Sequence, residues 1–180
     1  MQAERRAHSL NPGAIIVMGV SGSDKSTLAR LLAETLGCAF IEGDDLHCPS
    51  SVAKMRAGTP LCDEDRWPWL DRLANTLNEE TAAHGMAVAA CSALKFRYRD
   101  RIASAITVPT SFIMLETDRA ELLRRMENRP GHYMPASLLD SQLAALERPH
   151  GTERALILEA NISPAELCAA SYDWLARDGA

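Results

Sequence analysis

Gly19-Val20-Ser21-Gly22-Ser23-Asp24-Lys25-Ser26 is a glycine-rich run closed by a lysine and a hydroxyl residue. Those residue types suit a phosphate. Backbone N–H groups of a tight loop point at anionic oxygens, and a helix opening at the end of the loop adds partial positive charge. A lysine in the seventh place reaches β- and γ-phosphates, and the hydroxyl after it ligates Mg²⁺. The run from Gly19 through Val20, Ser21, Gly22, Ser23, Asp24, Lys25 and Ser26 to Thr27 is therefore the candidate cradle for ATP.

The pattern G-x-x-x-x-G-K-[ST] is broken at one position, because Asp24 stands where the second glycine belongs. A Cβ then sits where backbone must approach phosphate, a place that favours glycine. A carboxylate also joins the phosphates. At about 5 Å and an effective dielectric of about 20, each like-charge pair costs roughly 3 kcal/mol before Lys25 and Mg²⁺ offset it. The other reading of this run is a turn that caps a helix, since serine and aspartate are common there.

Further candidates follow the apolar runs. Asp44 could take the proton of an attacking hydroxyl or hold a metal-bound water, or else cap the next helix with Asp45. Arg66, Lys95 and Arg99, with His47 and Lys54 nearby, could meet an acid substrate, because arginine forks onto a carboxylate. Lys95 and Arg99 are four apart and are expected on one helix face. The plainer reading of that face is solvated basic surface, with Arg97 and Arg101 beside it. Arg124, Arg125 and Arg129 precede a polar segment holding Gly131 and His132. Glu116 could imitate an acid that binds magnesium, and Trp67, Trp69 and Trp174 read as core or interface residues.

Those residues need elements to position them. Ala14–Met18 is a short apolar run that reads as a buried strand, and Leu28, Leu31, Leu32 and Leu36 recur at helical spacing until Gly37 stops the helix. Strands are predicted over 38–41, 86–91, 111–115 and 155–158, and helices over 67–83, 95–105, 119–128 and 164–176. Pro68 falls in a first turn on this reading, and the segments 42–66 and 129–154 read as polar connections. Strands alternating with helices imply an α/β fold: a three-layer arrangement of a five-stranded parallel sheet with helices on both faces. Ligands of such sheets lie beyond the carboxyl ends of the strands, where the candidates fall.

With 180 residues the chain fits one domain, and its net charge of -5 shows no nucleic-acid footprint. No apolar run is long enough to cross a bilayer, and the first residues carry no apolar signal core. Residues 1–12 are expected to be a flexible N-terminus and 13–180 a single domain. Cys38, Cys48, Cys62, Cys91 and Cys168 are odd in number with no C-x-x-C pair, which argues against disulfides and a zinc site and for a reduced, cytoplasmic protein.

Three segments carry a resemblance. The first is Gly43-Asp44-Asp45-Leu46-His47, continuing through Lys54-Met55, Gly58, Pro60-Leu61 and Asp63-Glu64-Asp65-Arg66-x-Pro68-Trp69-Leu70. The second is Cys91-Ser92-Ala93-Leu94-Lys95-x-x-Tyr98-Arg99-Asp100. The third is Arg125-x-x-x-Arg129-x-Gly131-His132-Tyr133-Met134, then Ser141-Gln142-Leu143 and Leu146-Glu147-x-Pro149. From Ile15 onward the chain resembles the gluconokinase family of P-loop kinases, relatives of the shikimate and adenylate kinases.

The resemblance implies ATP and Mg²⁺ as cofactors and D-gluconate as the acceptor. It implies Lys25, Asp44, Arg125 and Arg129 as catalytic residues and Ser26 and Asp44 as metal residues. It implies Asp44, His47, Lys54, Arg66, Lys95, Arg99 and His132 around the sugar acid, a lid over about residues 128–150, and a homodimer. Asp24 departs from the family, as do Cys48, where proline is usual, and Ser51, where asparagine is frequent. These departures leave two other readings open: a kinase for another small sugar acid or polyol, and an impaired or non-catalytic sugar-acid-binding protein.

Overall fold

The computed structural model describes residues 10–128 and 136–177. Residues 1–9 of the expected flexible N-terminus lie outside the described residues, as do Arg129 and His132. Five strands form one parallel sheet: β1 (Gly13–Met18), β2 (Ala39–Glu42), β3 (Met86–Ala90), β4 (Thr110–Glu116) and β5 (Ala155–Glu159), in the order β2-β3-β1-β4-β5. The seven helices described are α1 (Lys25–Leu36), α2 (Pro49–Arg56), α3 (Asp63–His84), α4 (Phe96–Ala105), α5 (Arg119–Glu127), α6 (Leu139–Ala145) and α7 (Pro164–Arg177).

β1 is central because both its faces are apolar. Ala14, Ile16 and Met18 face one layer, where Trp69, Leu70, Leu73 and Leu77 of α3 and Tyr98 and Ile102 of α4 close the core. Ile15 and Val17 face the other, against Leu28, Leu32 and Leu36 of α1 and Leu167 and Leu175 of α7. This alternation is the strand period of two read directly from the sequence. Ile16 pairs with Ala89 of β3 on one side and Phe112 of β4 on the other. The alanines of β3 (Ala87, Ala89, Ala90) let α1 and α3 approach the sheet closely.

Two stretches read as connections are partly helical. Gly43–Leu46 forms a 3-10 turn and Pro49–Arg56 forms α2, with Pro49 in the first turn, where its missing N–H costs nothing. Ala136–Leu138 and α6 form a second helical piece. α3 begins at Asp63, four residues before the predicted start, so Pro68 lies inside the helix and not in its first turn. The early start is fixed by a cap: the Cys62 N–H donates to Asp65 Oδ2 at 3.1 Å. Asp63, Glu64 and Asp65 add negative charge at the positive end of the helix.

Candidate active site

The turns after the carboxyl ends of all five strands meet along one edge of the sheet. The glycine-rich loop leaves β1 with Gly19 at φ 145°, and a Cβ there would come within 3.0 Å of the Leu115 carbonyl oxygen. Glycine is therefore required at the first position of the loop. Lys25 opens α1 and is almost fully buried. At the broken position the loop keeps the backbone glycine would have: Asp24 lies at φ 62°, ψ 26°. Its side chain makes no cap bond to α1. The carboxylate is half-exposed and pairs with Arg125 Nη1 at 3.0 Å, so part of its charge is answered by the guanidinium.

β2 delivers the acids. Gly43 permits a close approach, since a Cβ there would overlap the Ala90 carbonyl oxygen. Trp69 donates its indole N–H to the Gly43 carbonyl at 2.7 Å, and Arg72 Nε donates to the Leu46 carbonyl at 2.8 Å. Two groups of α3 thus hold the turn that carries Asp44. Glu42, which the sequence reading passed over, has one buried carboxylate oxygen, Oε1, with no hydrogen-bond partner. Burial pushes its pKa up and Asp44 adds to that, while a bond from Ser26 and the charge of Lys25 oppose it.

His47 stacks on Trp69, with ring centroids 4.1 Å apart. Its pKa falls to about 4, chiefly from burial, with Arg66 and Arg72 adding to the effect and Asp44 resisting it. Its imidazole is therefore neutral at pH 7, and its buried Nδ1 has no partner. Arg66 Nε is likewise buried without one. Buried polar atoms are ordinarily paired, so these orphans point to a polar ligand.

A cavity of about 140 Å³ gathers Ser21, Lys25, Asp44, His47, Arg66, Ser92, Lys95 and Tyr98 among its lining residues. Three cations thus surround one carboxylate, Asp44. Lys95 Nζ lies 3.8 Å from Asp63, whose other neighbours are Arg97 and the Tyr98 hydroxyl. A second cleft, of about 830 Å³, opens on the other side of the loop and is lined by Val20, Leu115, Thr117, Glu121, Arg125, Ala160 and Ile162, among others.

Two expected substrate contacts are corrected. Arg99 is fully buried and ion-paired to Glu153, with Nη1 donating to the carbonyls of Ala93 at 3.0 Å and Leu94 at 3.2 Å. It holds the loop after β3, where Ala93 takes the strained φ of 43°. Lys95 precedes α4 in extended backbone, so the two basic residues share no helix face. Lys54 points outward and pairs with Asp65 at 2.7 Å, away from the cavity lining.

Arg125 lines the larger cleft, not the cavity that holds Lys25 and Asp44. Glu116 pairs with Arg148 at 2.9 Å. In the sequence Gln142 stands out only as part of the third segment. From α6 it accepts the Ser21 N–H at 2.7 Å and donates to the Ser21 hydroxyl at 3.1 Å, so it docks α6 onto the phosphate loop. At the head of α2, Cys48 meets the hydroxyls of Ser50 and Ser51, and those bonds bring its pKa down to about 7.

No three-carboxylate metal cluster occurs among the described residues. Mg²⁺ carried by a nucleotide needs only one or two protein carboxylates besides phosphate and water. Asp44 and the orphaned Glu42 Oε1, with the Ser26 hydroxyl, fit that requirement.

A parallel sheet of this order, a lysine-bearing phosphate loop after its central strand, and an acid on the next strand end define a P-loop kinase. The AAA domain family profile matches residues 15–149. A gluconokinase of Gluconobacter oxydans is 48% identical over 144 residues, covering 80% of each chain. The thermosensitive gluconokinase of Escherichia coli is 41% identical, over 80% of this chain and 76% of its own length. The crystal structure of a gluconokinase from Sinorhizobium meliloti superposes with a TM-score of 0.83 at 42% identity, covering 94% of this chain and 95% of that one. The chain belongs to the gluconokinase family.

Proposed function

We propose that the protein transfers the γ-phosphoryl group of ATP to D-gluconate, yielding 6-phospho-D-gluconate and ADP with Mg²⁺ as the nucleotide's counter-ion. The observation that carries this reading is the cavity beside the phosphate loop. There Lys25 and Asp44 stand with Arg66 and Lys95, so phosphate, hydroxyl and carboxylate each have a matching group.

The nucleoside end occupies the larger cleft, and the phosphates follow the loop toward Lys25. Arg66 and Lys95 answer the sugar-acid carboxylate, while neutral His47 and Ser92 hydrogen-bond its hydroxyls. Asp44 accepts the proton of the attacking hydroxyl as the new P–O bond forms and the bond to the β-phosphate oxygen breaks. Ser26, with Asp44 and Glu42, would hold Mg²⁺, which neutralises phosphate charge. Arg129 and His132 belong to the proposed lid, which brings further charge and excludes water.

The cytoplasm is the proposed site of action and a homodimer the proposed assembly. Among the described residues no helix is long and apolar enough to cross a membrane.

A coupled assay of ADP release with ATP, Mg²⁺ and D-gluconate tests the reading. Turnover that needs gluconate and is lost in Asp44→Asn supports it. Equal or faster turnover with another sugar acid or a polyol would move the acceptor to that compound.

A further inference from the structure

Asp24 is the point at which this phosphate loop leaves the glycine pattern, yet the backbone there is left-handed, as glycine would make it. Aspartate and asparagine tolerate that region better than other side chains, because their short polar groups find local partners. Here the partner lies across the cleft edge, on α5. Arg125 is satisfied at all three nitrogens: Nε donates to Glu121 at 2.6 Å, Nη1 to Asp24 at 3.0 Å, and Nη2 to the Ala160 carbonyl at 3.0 Å. The three acceptors come from α5, the phosphate loop and the turn after β5. A guanidinium is a rigid planar fork, so three acceptors on three segments fix its plane. That plane forms part of the wall of the larger cleft, with Val20 and Ile162. Two carboxylates balance its charge, so its contribution there is shape and π-surface more than attraction for phosphate.

We propose that Asp24 is a positioning residue of the nucleotide site: its carboxylate locks the Arg125 guanidinium as a fixed flat wall for the nucleoside end of the nucleotide. A glycine at this position would leave Nη1 unheld and the wall tied at two points, Glu121 and the Ala160 carbonyl, in place of three. The inference rests on reading the larger cleft as the nucleoside site. It gives the departure from the family pattern a use in place of a defect.

The test compares a ligand with a base and one without. Calorimetric titrations with Mg²⁺-ADP and with Mg²⁺-tripolyphosphate are run on the full chain, on Asp24→Gly, on Asp24→Asn, on Arg125→Ala and on the Asp24→Gly/Arg125→Ala double variant. Glycine accepts the left-handed backbone, so the fold is kept. The expected result is a rise of about fivefold in the ADP Kd of Asp24→Gly, the scale of one partly exposed ion pair, with no loss of tripolyphosphate affinity. Asp24→Asn, which keeps an acceptor oxygen, falls between. In the Arg125→Ala background the aspartate substitution adds less than twofold. Unchanged or tighter ADP binding by Asp24→Gly, or an equal loss with tripolyphosphate, overturns the proposal while leaving the nucleotide site in place. Failure of the unsubstituted protein to bind either ligand overturns the nucleotide reading and the proposal together.

Discussion

Trp69 does two jobs with one ring: its N–H holds the Gly43 carbonyl at 2.7 Å while its face supports His47 at 4.1 Å. The residue that fills the core beside β1 therefore also sets the height of the turn carrying Asp44. Trp69→Phe keeps most of the apolar area but leaves the buried Gly43 carbonyl without its donor. The expected cost is about 1 to 3 kcal/mol of stability. Because the turn shifts with it, the gluconate KM is expected to rise more than the ATP KM. Urea unfolding and steady-state kinetics on the one variant read both effects. A loss of stability with no change in the gluconate KM would show that the ring serves only the core.

Arg99 and Glu153 are the next test, because the sequence puts Arg99 at the substrate and the structure buries it against Glu153. Removing one member strands the other in the interior, which costs about 3 to 5 kcal/mol. Arg99→Met is expected to destabilise by that order. Arg99→Met/Glu153→Leu is expected to recover much of the loss, since a buried pair replaced by apolar groups is near neutral. Thermal melts of the two variants decide it. An Arg99→Met protein as stable as the parent would return Arg99 to the list of surface or substrate cations.

The contrast between Arg99 and Lys95 shows where the sequence stops informing. Buried strands and the leucine-spaced α1 were legible because periodicity records which face is apolar. The phosphate loop was legible because a glycine-rich run before lysine and serine suits a phosphate, and Asp44 because it follows a strand end, where ligands of such sheets lie. Which way a basic side chain turns is not encoded in spacing once the helix start is misjudged by a residue. Lys95 stops one residue short of α4. α2 was missed because its apolar face is only Val52 and Met55, between two prolines that read as punctuation. Glu42 gave no signal at all: on a strand end, one acid reads as a polar edge until its neighbours are in place.

Asp44 is the proposed proton acceptor, and the pair Asp44→Asn and Lys95→Met separates chemistry from binding. Asp44→Asn is expected to lower kcat by about 10²- to 10⁴-fold, the scale of general base catalysis. Lys95→Met is expected to raise the gluconate KM by about tenfold or more through loss of one charge-assisted contact, with little change for ATP. Steady-state kinetics with each substrate varied in turn makes the comparison. An Asp44→Asn enzyme within a few-fold of the parent would place the proton elsewhere, with Glu42, which feels the charge of Asp44, the next candidate.

His47 makes stability depend on pH with a sign that can be worked out. Its pKa is about 4 in the folded chain, against an ordinary 6.5. Between those values the unfolded chain binds a proton that the folded chain refuses, so stability falls as pH drops from about 6.5 to about 4 and levels off below. The shift corresponds to at most about 3 kcal/mol. Glu42, whose pKa is raised, works in the opposite sense and gains stability as it takes up its proton. The clean measurement is therefore a difference. Urea midpoints of the parent and of His47→Gln are followed from pH 7 to pH 4, and the parent is expected to lose more. Glutamine keeps polar atoms near the pocket but does not titrate. Parallel curves for the two proteins would mean that His47 takes up its proton freely in the fold, and that its imidazole is open to water and not held neutral against Trp69.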